Sequence, residues 1–423
     1  MAGAAQVFDR EEWRGNWQVV AASMLGITLC STHGYTLGVM IGPLEQEFGW
    51  SRSAITGGLL IISTIAIVAA PFAGRLADRY GPRPVALAGV PLFCAALALL
   101  GTATSNVVSW WLLWLLLALG NMCILPTIWT AAINSRFDRN RGLALAFALC
   151  GTGVAAFIMP PLTTRMIDHF GWRGAYAATA AIAFLVVFPT TLLWFRCARH
   201  TKVARPAAPT SLPTARALRE EFRSARFIKL TAASTAFSVT ICALTTNATP
   251  VLASFGHSRT EAADIAALMG LGSIIGRLGG GILLDRIDAK RVAACSVMAP
   301  VITAMLLLYA GENIQVAMVA TLILGLAIGT EVDACSYLAA RHFGLANFGA
   351  LFGTINGLML FGNGIAPFAA NYVYDETHSY APMLWAQLPA CTIAAVLFLA
   401  LGKYPDTTRP APIEIEPLPA GAA

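Results

Sequence analysis

One basic residue interrupts an apolar stretch of this sequence at a depth where charge is costly. Arg277 lies in SIIGRLGGG, eight positions before Asp285, so on a helix it sits about 12 Å inside the charged end. A guanidinium at that depth in a membrane costs several kcal/mol unless it is paired or hydrated. Its planar fork can hold a carboxylate through two hydrogen bonds. We therefore expect Arg277 to bind an anionic group.

Two acidic residues interrupt a later apolar stretch, AIGTEVDACSYLAARHF. Asp333 lies eight positions before Arg341, which gives it about the same depth as Arg277. We expect Asp333 or Glu331 to pair with Arg277 in the empty protein and to take up a proton when an anion replaces it. A purely structural ion pair is the alternative. Residues two positions apart point in different directions on a helix, so we expect one of the two acids to face a cavity.

Other polar side chains in apolar stretches are candidates for binding the same anion. His33 can titrate near neutral pH, although a single histidine in a helix is more often packed or hydrogen-bonded. Polar residues also make contacts between membrane helices, so every candidate has a structural alternative. The remaining candidates are Tyr35, Asn121, Asn247, Tyr337 and Asn363.

Membrane helices must carry these residues. The chain is 57% apolar and 12% charged, against about 25% charged in soluble domains. Many stretches of about twenty residues lack an ionised side chain, and that length crosses ~30 Å of hydrocarbon. The sequence therefore predicts an all-α membrane protein with twelve transmembrane helices. The predicted segments are 17–43, 53–74, 84–104, 107–134, 142–164, 173–195, 228–254, 262–283, 291–311, 314–340, 348–373 and 380–402.

Basic residues are distributed unevenly between the loops that join these segments. With the N-terminus in the cytoplasm, 23 of the 28 Lys and Arg residues fall in inner loops and termini, and 4 fall in outer loops. Because cytoplasmic loops are enriched in Lys and Arg, we expect both termini to be cytoplasmic and the membrane to be the plasma (inner) membrane. This distribution accounts for the net charge of +6, so no nucleic-acid partner is expected.

One long polar stretch separates two sets of six segments. We expect an N-terminal cytoplasmic segment at 1–16, a six-helix bundle at 17–195, a cytoplasmic linker at 196–227, a second bundle at 228–402 and a cytoplasmic tail at 403–423. Landmarks recur at an offset of 207 residues, which indicates an internal repeat. Parallel six-helix repeats with a substrate site between them are one architecture of secondary transporters. The recurring pairs include Gly74 and Gly281, Asp78 and Asp285, Arg79 and Arg286, Gly49 and Gly256, Ser51 and Ser258, and Arg52 and Arg259.

The loop after the second segment reads GRLADRYGPRP, from Gly74 to Pro84. It resembles the signature loop of the major facilitator superfamily, and GILLDRIDAKR lies where that family repeats it. The resemblance implies a latch that closes the cytoplasmic side while the carrier faces outward. The residues that match are Gly74, Asp78, Arg79, Asp285 and Arg286. A charged topological anchor without a gating role is the alternative.

A narrower resemblance covers most of the chain. EQEFGWSRSAI, GTGVAAFIMPPL, FGWRGAY and GNGIAPF, in this order, are similar to the monocarboxylate porter and oxalate/formate antiporter group. This implies a small carboxylate as substrate and places Arg277 at the position of the group's essential arginine. The chain departs from the eukaryotic pattern in two places, with Tyr35 near the position of a lysine and Ser273 at the position of an acid. These departures put that group's route of proton coupling in doubt.

The motifs of the common enzyme classes are not found in this sequence. It has no phosphate-binding loop, no HExxH zinc helix and no serine nucleophile elbow. Its nine cysteines have neither metal-ligand nor redox spacing, so no cofactor is expected. We expect a monomeric secondary transporter of a small organic anion, with a proton as a candidate co-substrate. The alternatives are a carrier or exporter of a neutral or amphipathic solute, and a membrane sensor that does not transport.

Overall fold

The computed structural model describes residues 9–196 and 215–404, and these form helices with short connections. Buried apolar side chains form one core between residues 19 and 195, and two further clusters between residues 227 and 401. None of these clusters combines residues from before and after the polar stretch at 196–227. The described chain therefore forms two helical halves, each with its own apolar interior.

The first half contains six membrane helices, α1 to α6. Proline begins α3, where its missing N–H costs no helical hydrogen bond. The helix α4 is interrupted near Cys123 and resumes at Pro126. The bounds are α1 Arg10–Phe48, α2 Arg52–Tyr80, α3 Pro82–Leu99, α4 Val107–Asn134, α5 141–170 and α6 172–194.

The second half contains α7 to α12. The helix α7 is interrupted at Asn247, and a short helical segment, Ala248–Ser254, continues it. The bounds are α7 Ala225–Thr246, α8 Arg259–Arg286, α9 Ala289–Ala310, α10 Ile314–Gly344, α11 Asn347–Thr377 and α12 Ala381–Leu399.

The prediction of twelve membrane helices is confirmed. Eleven helical stretches within the described residues are long and apolar enough to span a membrane, and the stretch Arg141–Trp194 contains two spans. Gly171, with φ 68°, separates α5 from α6, and Gly344, with φ 70°, separates α10 from α11. Residues with a Cβ rarely adopt such angles, so glycine allows the chain to turn sharply between two helices at both places.

The repeat at an offset of 207 residues also appears in the local structure. Gly49 and Gly256 both have positive φ, at 65° and 94°. Two residues later, the hydroxyls of Ser51 and Ser258 accept a hydrogen bond from the backbone of the first turn of α2 and of α8. Both helices therefore begin with the same turn and the same cap.

Several boundaries differ from the prediction. The helix α1 already begins at Arg10, within the predicted 1–16 segment, and its N-terminus is capped by the Asp9 side chain. The predicted linker contains a helix, Ala215–Arg223, and α7 begins at Ala225. Polar residues can continue a helix once it leaves hydrocarbon, so hydropathy does not mark its end. Residues 1–8, 197–214 and 405–423, which include most of the predicted linker and tail, lie outside the described residues.

The two halves meet along α1, α2 and α5 on one side and α7, α8 and α11 on the other. Small residues allow close approach there: a Cβ on Gly270 of α8 would overlap the backbone of Gly153 and Phe157 in α5. A Cβ on Gly364 of α11 would touch Ser63 of α2. We name the membrane face that holds both ends of the described chain the terminal face, and the opposite one the distal face.

Candidate functional site

The side chains of Arg277 and Asp333 form an ion pair between α8 and α10. Nη1 of Arg277 lies 3.3 Å from Oδ1 and 3.4 Å from Oδ2 of Asp333. The arginine is 6% exposed and the aspartate 30% exposed, so the carboxylate is on the open side of the pair. Nε of Arg277 is buried and has no hydrogen-bond partner within the described structure. Part of the guanidinium fork thus has no acceptor in this structure.

Glycines on α8 and α10 bring these two side chains together. A Cβ on Gly276 would overlap the backbone of Leu326, and a Cβ on Gly329 would overlap the carbonyl oxygen of Ser273. The backbones therefore pack directly, as is typical of membrane helices with small residues at the interface. The same contact also includes Gly272 and Gly325.

Glu331 lies on a different side of α10 from Asp333. It is 7% exposed, and its carboxylate accepts a hydrogen bond from the hydroxyl of Ser238 in α7. It is within electrostatic range of Arg277 but does not form an ion pair with it. The helix α10 thus presents one acid to the arginine and another to a neutral hydroxyl.

Tyr35 is the predicted residue of the first half that lies close to this pair. It is within electrostatic range of Arg277, Glu331 and Cys242. The Sγ of Cys242 donates a hydrogen bond of 3.1 Å to the backbone carbonyl of Asn363 in α11. Side chains of α1, α7, α8 and α10 therefore meet here, with α11 at the edge.

Four other predicted site residues lie elsewhere. The His33 ring packs against Phe93 and Trp114, inside the first half. Asn121 accepts a hydrogen bond of 3.4 Å from Cys30, which joins α4 to α1. The two remaining residues lie toward opposite ends of the second half. Tyr337 lies near Tyr404 at the terminal face, and the buried Asn247 is hydrogen-bonded to Asn371 toward the distal face.

A carboxylate from the second half caps a helix of the first half at the distal face. Oδ1 of Asp375 accepts a hydrogen bond of 2.9 Å from the backbone N–H of Arg52, and Oδ2 accepts one of 3.0 Å from that of Ser53. These are the first N–H groups of α2, which have no partner within the helix. A negative charge at that end also favours the helix dipole.

The guanidinium of Arg52 strengthens the same junction. It lies 2.9 Å from Glu45 and donates a hydrogen bond of 2.9 Å to the hydroxyl of Tyr380. It also stacks at 3.9 Å on the ring of Tyr374. The Tyr380 hydroxyl donates to Asn371, whose side-chain amide donates to Asn247. A continuous hydrogen-bonded chain therefore connects α2 to the interruption in α7.

Two more ion pairs join the halves at this face. Arg165 lies 3.5 Å from Asp264, and Arg259 lies 3.0 Å from Asp168. All four side chains are about half exposed, so each pair contributes little alone. The half-buried cap at Asp375 is the stronger contact, and together these contacts close the distal face.

Among the described residues, the predicted gating residues of the terminal face make no comparable contact between the halves. Within residues 9–196 and 215–404, none of Asp78, Arg79, Asp285 and Arg286 forms an ion pair. A Cβ on Gly74 would meet no atom within 4 Å. The predicted gating residues are therefore not engaged with the opposite half in this structure, and the halves are joined at the distal face.

The fold and the site can now be compared with known proteins. The family model of the Major Facilitator Superfamily matches residues 23–253 and 230–422. The chain belongs to the major facilitator superfamily. The predicted superfamily and the predicted all-α membrane fold are thus confirmed.

Curated relatives of this facilitator are transporters of organic anions. Monocarboxylate transporter 13 of Bos taurus is 25% identical over 274 residues, which cover 64% of this chain and 62% of the relative. The 4-hydroxybenzoate transporter PcaK of Pseudomonas aeruginosa is 24% identical and covers 82% of this chain and 87% of its own length. The match therefore spans less than two thirds of the bovine relative and most of the bacterial one.

Solved structures support the fold alone, because their sequence identity is low. The nucleoside transporter NupG aligns with a TM-score of 0.74 at 15% identity and covers 92% of this chain and 99% of its own. A bacterial homologue of the lysosomal transporter Spinster, in an inward-facing and unoccupied conformation, aligns with a TM-score of 0.70 at 16% identity. It covers 93% of this chain and 98% of its own.

Sequence reasoning missed Ser238 as the partner of Glu331 and the role of Asp375 at the distal face. Ser238 is one of many hydroxyls in apolar stretches, so no local signal distinguishes it. Asp375 had a signal, since an acid in the last turn of a helix is unfavourable for that helix's own dipole and indicates a partner elsewhere. Its partner lies 323 positions away along the chain, and sequence spacing does not predict such a contact.

We predict that Gly276→Ala destabilises the contact between α8 and α10. The added methyl group meets backbone that has no room to move, and overpacking of this kind costs about 1–3 kcal/mol. Gly279→Ala on the same helix is the matched control, because a Cβ there meets no atom within 4 Å. Thermal unfolding of both purified variants measures the difference. Equal unfolding temperatures would contradict the packing described here.

We predict that Asp375→Ala opens the distal face. The variant loses two hydrogen bonds to a charged group, each of which contributes about 1.5–3 kcal/mol, so the open population should rise at least tenfold. Spin labels at Thr102 and Glu312, in a background without native cysteines, report the separation of the halves. Glu376→Ala is the control, because Glu376 is exposed. An unchanged distance distribution in Asp375→Ala would exclude this role.

Proposed function

We propose that this facilitator is a secondary active transporter that carries small organic carboxylates across the plasma membrane by alternating access. The arrangement of Arg277 carries the proposal. One guanidinium nitrogen contacts Asp333, at 3.3 and 3.4 Å, and Nε has no partner. A substrate carboxylate that accepts two hydrogen bonds from the fork gains a stronger interaction than this pair, and so can displace Asp333.

The names of the relatives support the same chemical class. Monocarboxylates and 4-hydroxybenzoate each carry one carboxylate on an otherwise small molecule. An arginine at the centre of the fold is suited to the group that these substrates share. The aliphatic or aromatic remainder would then contact side chains around Tyr35, which lies on the opposite half from Arg277.

Alternating access is supported by the asymmetry between the two faces. The distal face is closed by Asp375 and Arg52, while the predicted gating residues of the terminal face, Asp78, Arg79, Asp285 and Arg286, form no ion pair within the described chain. In the opposite conformation the distal contacts would break. The last turns of α2 and α8, which contain Asp78 and Asp285, would then latch the terminal face, as the resemblance of these segments to the family's signature loop implies.

Orientation and oligomeric state complete the proposal. The excess of Lys and Arg at the terminal face supports a cytoplasmic location for both termini. We propose a monomer as the functional unit, because Arg277, Asp333, Glu331 and Tyr35 all belong to one chain.

We also propose that Glu331 binds the co-transported proton while Asp333 serves as the counter-ion of Arg277. A buried carboxylate with only a hydroxyl partner is costly, whereas the neutral acid is not. The groups that face Glu331 are Ser238 and Cys242 of α7, Arg277 of α8 and Tyr35 of α1. Cys335 and Asp333 share its helix. Arg277 is the cation among them, and its change of partner from Asp333 to substrate would alter the field at Glu331.

We predict that Arg277→Gln lowers carboxylate uptake at least hundredfold. The variant removes the charge and the fork that the substrate requires, whereas Arg14→Gln, at an exposed position of α1, should transport normally. The measurement is uptake of labelled lactate and 4-hydroxybenzoate into proteoliposomes. Near-normal uptake by a folded Arg277→Gln variant would refute a carboxylate site at this residue.

We predict that Glu331→Gln separates carboxylate movement from the proton gradient. The amide resembles the protonated acid, so exchange of internal for external carboxylate should stay within about twofold of wild type, while accumulation driven by an imposed pH gradient should be lost. In Asp333→Asn, total uptake should fall but its stimulation by the gradient should persist. If accumulation persists in Glu331→Gln, the proton binds elsewhere.

A further inference from the structure

An apolar groove runs along the surface of the second half between α11 and α12, and α7 forms its floor. Its volume is about 600 Å³. Apart from Thr231 and Thr235, its lining side chains are apolar, and they include Ile228, Leu358 and Ala390. All lining residues belong to the second half. The helix α12 packs against α7 and α9, and the lining residues Ile228 and Leu358 are 57% and 41% exposed. The groove therefore lies on the outer surface of the bundle, where membrane helices contact lipid.

The groove has the depth of one leaflet. It extends along α7 from Phe227 to Val239, which corresponds to about 18 Å at the helical rise per residue. Half of a ~30 Å hydrocarbon core is about 15 Å. The groove begins at the terminal face and ends near the middle of the bilayer, so it can hold an acyl chain that enters from the leaflet on that side.

Two basic residues lie on α7 at the terminal-face end of the groove. Arg226 immediately precedes the first lining residue, and Lys229 follows the lining residue Ile228 within the first two turns of α7. The ammonium group of Lys229 is 3.0 Å from the carbonyl oxygen of Ala400, and neither side chain forms an ion pair within the described residues. Lys290 and Arg341 lie with Arg226 within electrostatic range of His342. The local charge is positive.

One acid of this cluster is already engaged. Asp288 accepts a hydrogen bond of 2.6 Å from the Tyr404 hydroxyl and lies 3.5 Å from Lys290. These contacts hold the pKa of Asp288 below its usual value against the opposing effect of burial, so it stays ionised and committed to these two partners. Arg226 and Lys229 are left to attract an anion from outside the protein.

We propose that this groove binds one anionic phospholipid of the leaflet at the terminal face. The acyl chain lies over α7 between α11 and α12, and the phosphate contacts Arg226 and Lys229. The hydroxyls of Thr231 and Thr235 are buried and make no hydrogen bond in the described structure, and they lie about one and two turns below these basic residues, where ester oxygens of a bound lipid would give them acceptors. The site is separate from Arg277 and does not depend on the transported substrate.

Native mass spectrometry of the purified full chain with phosphatidylglycerol tests this proposal. Each basic residue near an anionic membrane surface contributes about fivefold in affinity, so Arg226→Gln combined with Lys229→Gln should weaken binding of one lipid about 30-fold. Arg14→Gln, which removes a basic residue from the terminal face of the first half, should have no effect. Phosphatidylcholine should bind at least tenfold more weakly than phosphatidylglycerol. Equal binding of the two lipids, or full binding by the double variant, overturns the proposal.

Filling the groove provides a second and independent test. Ala232→Phe and Ala236→Phe place a ring where the acyl chain would lie, and each should weaken phosphatidylglycerol binding at least tenfold. Ala95→Phe, at an exposed position of α3, is the matched control. Unfolding temperatures without lipid should match wild type, which shows that the variants fold. Normal lipid binding by both groove variants, or equal competition by glycerol phosphate without acyl chains, overturns the site.

Discussion

The cost of holding one guanidinium in the middle of a membrane governs the architecture of this protein. Arg277 is almost fully buried at a depth where an unpaired charge is expensive. The structure meets that cost with Asp333, and it holds the two side chains together by packing α8 on α10 through glycines. A counter-ion that contacts a single nitrogen of the fork stabilises the charge and leaves the buried Nε without an acceptor.

A chain of hydrogen bonds connects the closed distal face to helices that line the site. The distal face is closed by a carboxylate that caps α2 from the other half, and that junction continues through hydrogen bonds to the interruption in α7. The helix α7 also provides Ser238 and Cys242, which lie beside the buried acids and Tyr35. Any movement of the halves at α2 and α11 therefore reaches helices that line the site.

The second half has two surfaces with distinct chemistry, one on its inward side and one on its outer side. Its inward side holds the arginine and both acids, while its outer side has a groove whose terminal-face end lies beside the first turns of α7, which contain Arg226 and Lys229. Positive charge at the terminal face has two roles in the proposals above. It places this face in the cytoplasm, and beside the apolar groove it attracts an anionic lipid. The substrates in the relatives' names, monocarboxylates and 4-hydroxybenzoate, bear only on the site proposed on the inward side.

The sequence alone determined the properties that depend on position along a helix. The length of the apolar stretches predicted twelve spans. The offset of 207 residues predicted an internal repeat, which appears in the structure as the same turn and cap at Ser51 and Ser258. The number of residues between Arg277 and Asp285 predicted how deep in the membrane the arginine lies. Tertiary structure decided every property that depends on rotation and on distant partners. Helical periodicity separates Glu331 from Asp333, but only the packing of α10 against α7 and α8 decides which acid meets the arginine. For the same reason His33, Asn121, Asn247 and Tyr337 have suitable chemistry but lie in other parts of the molecule, because the direction in which each points is set by neighbouring helices.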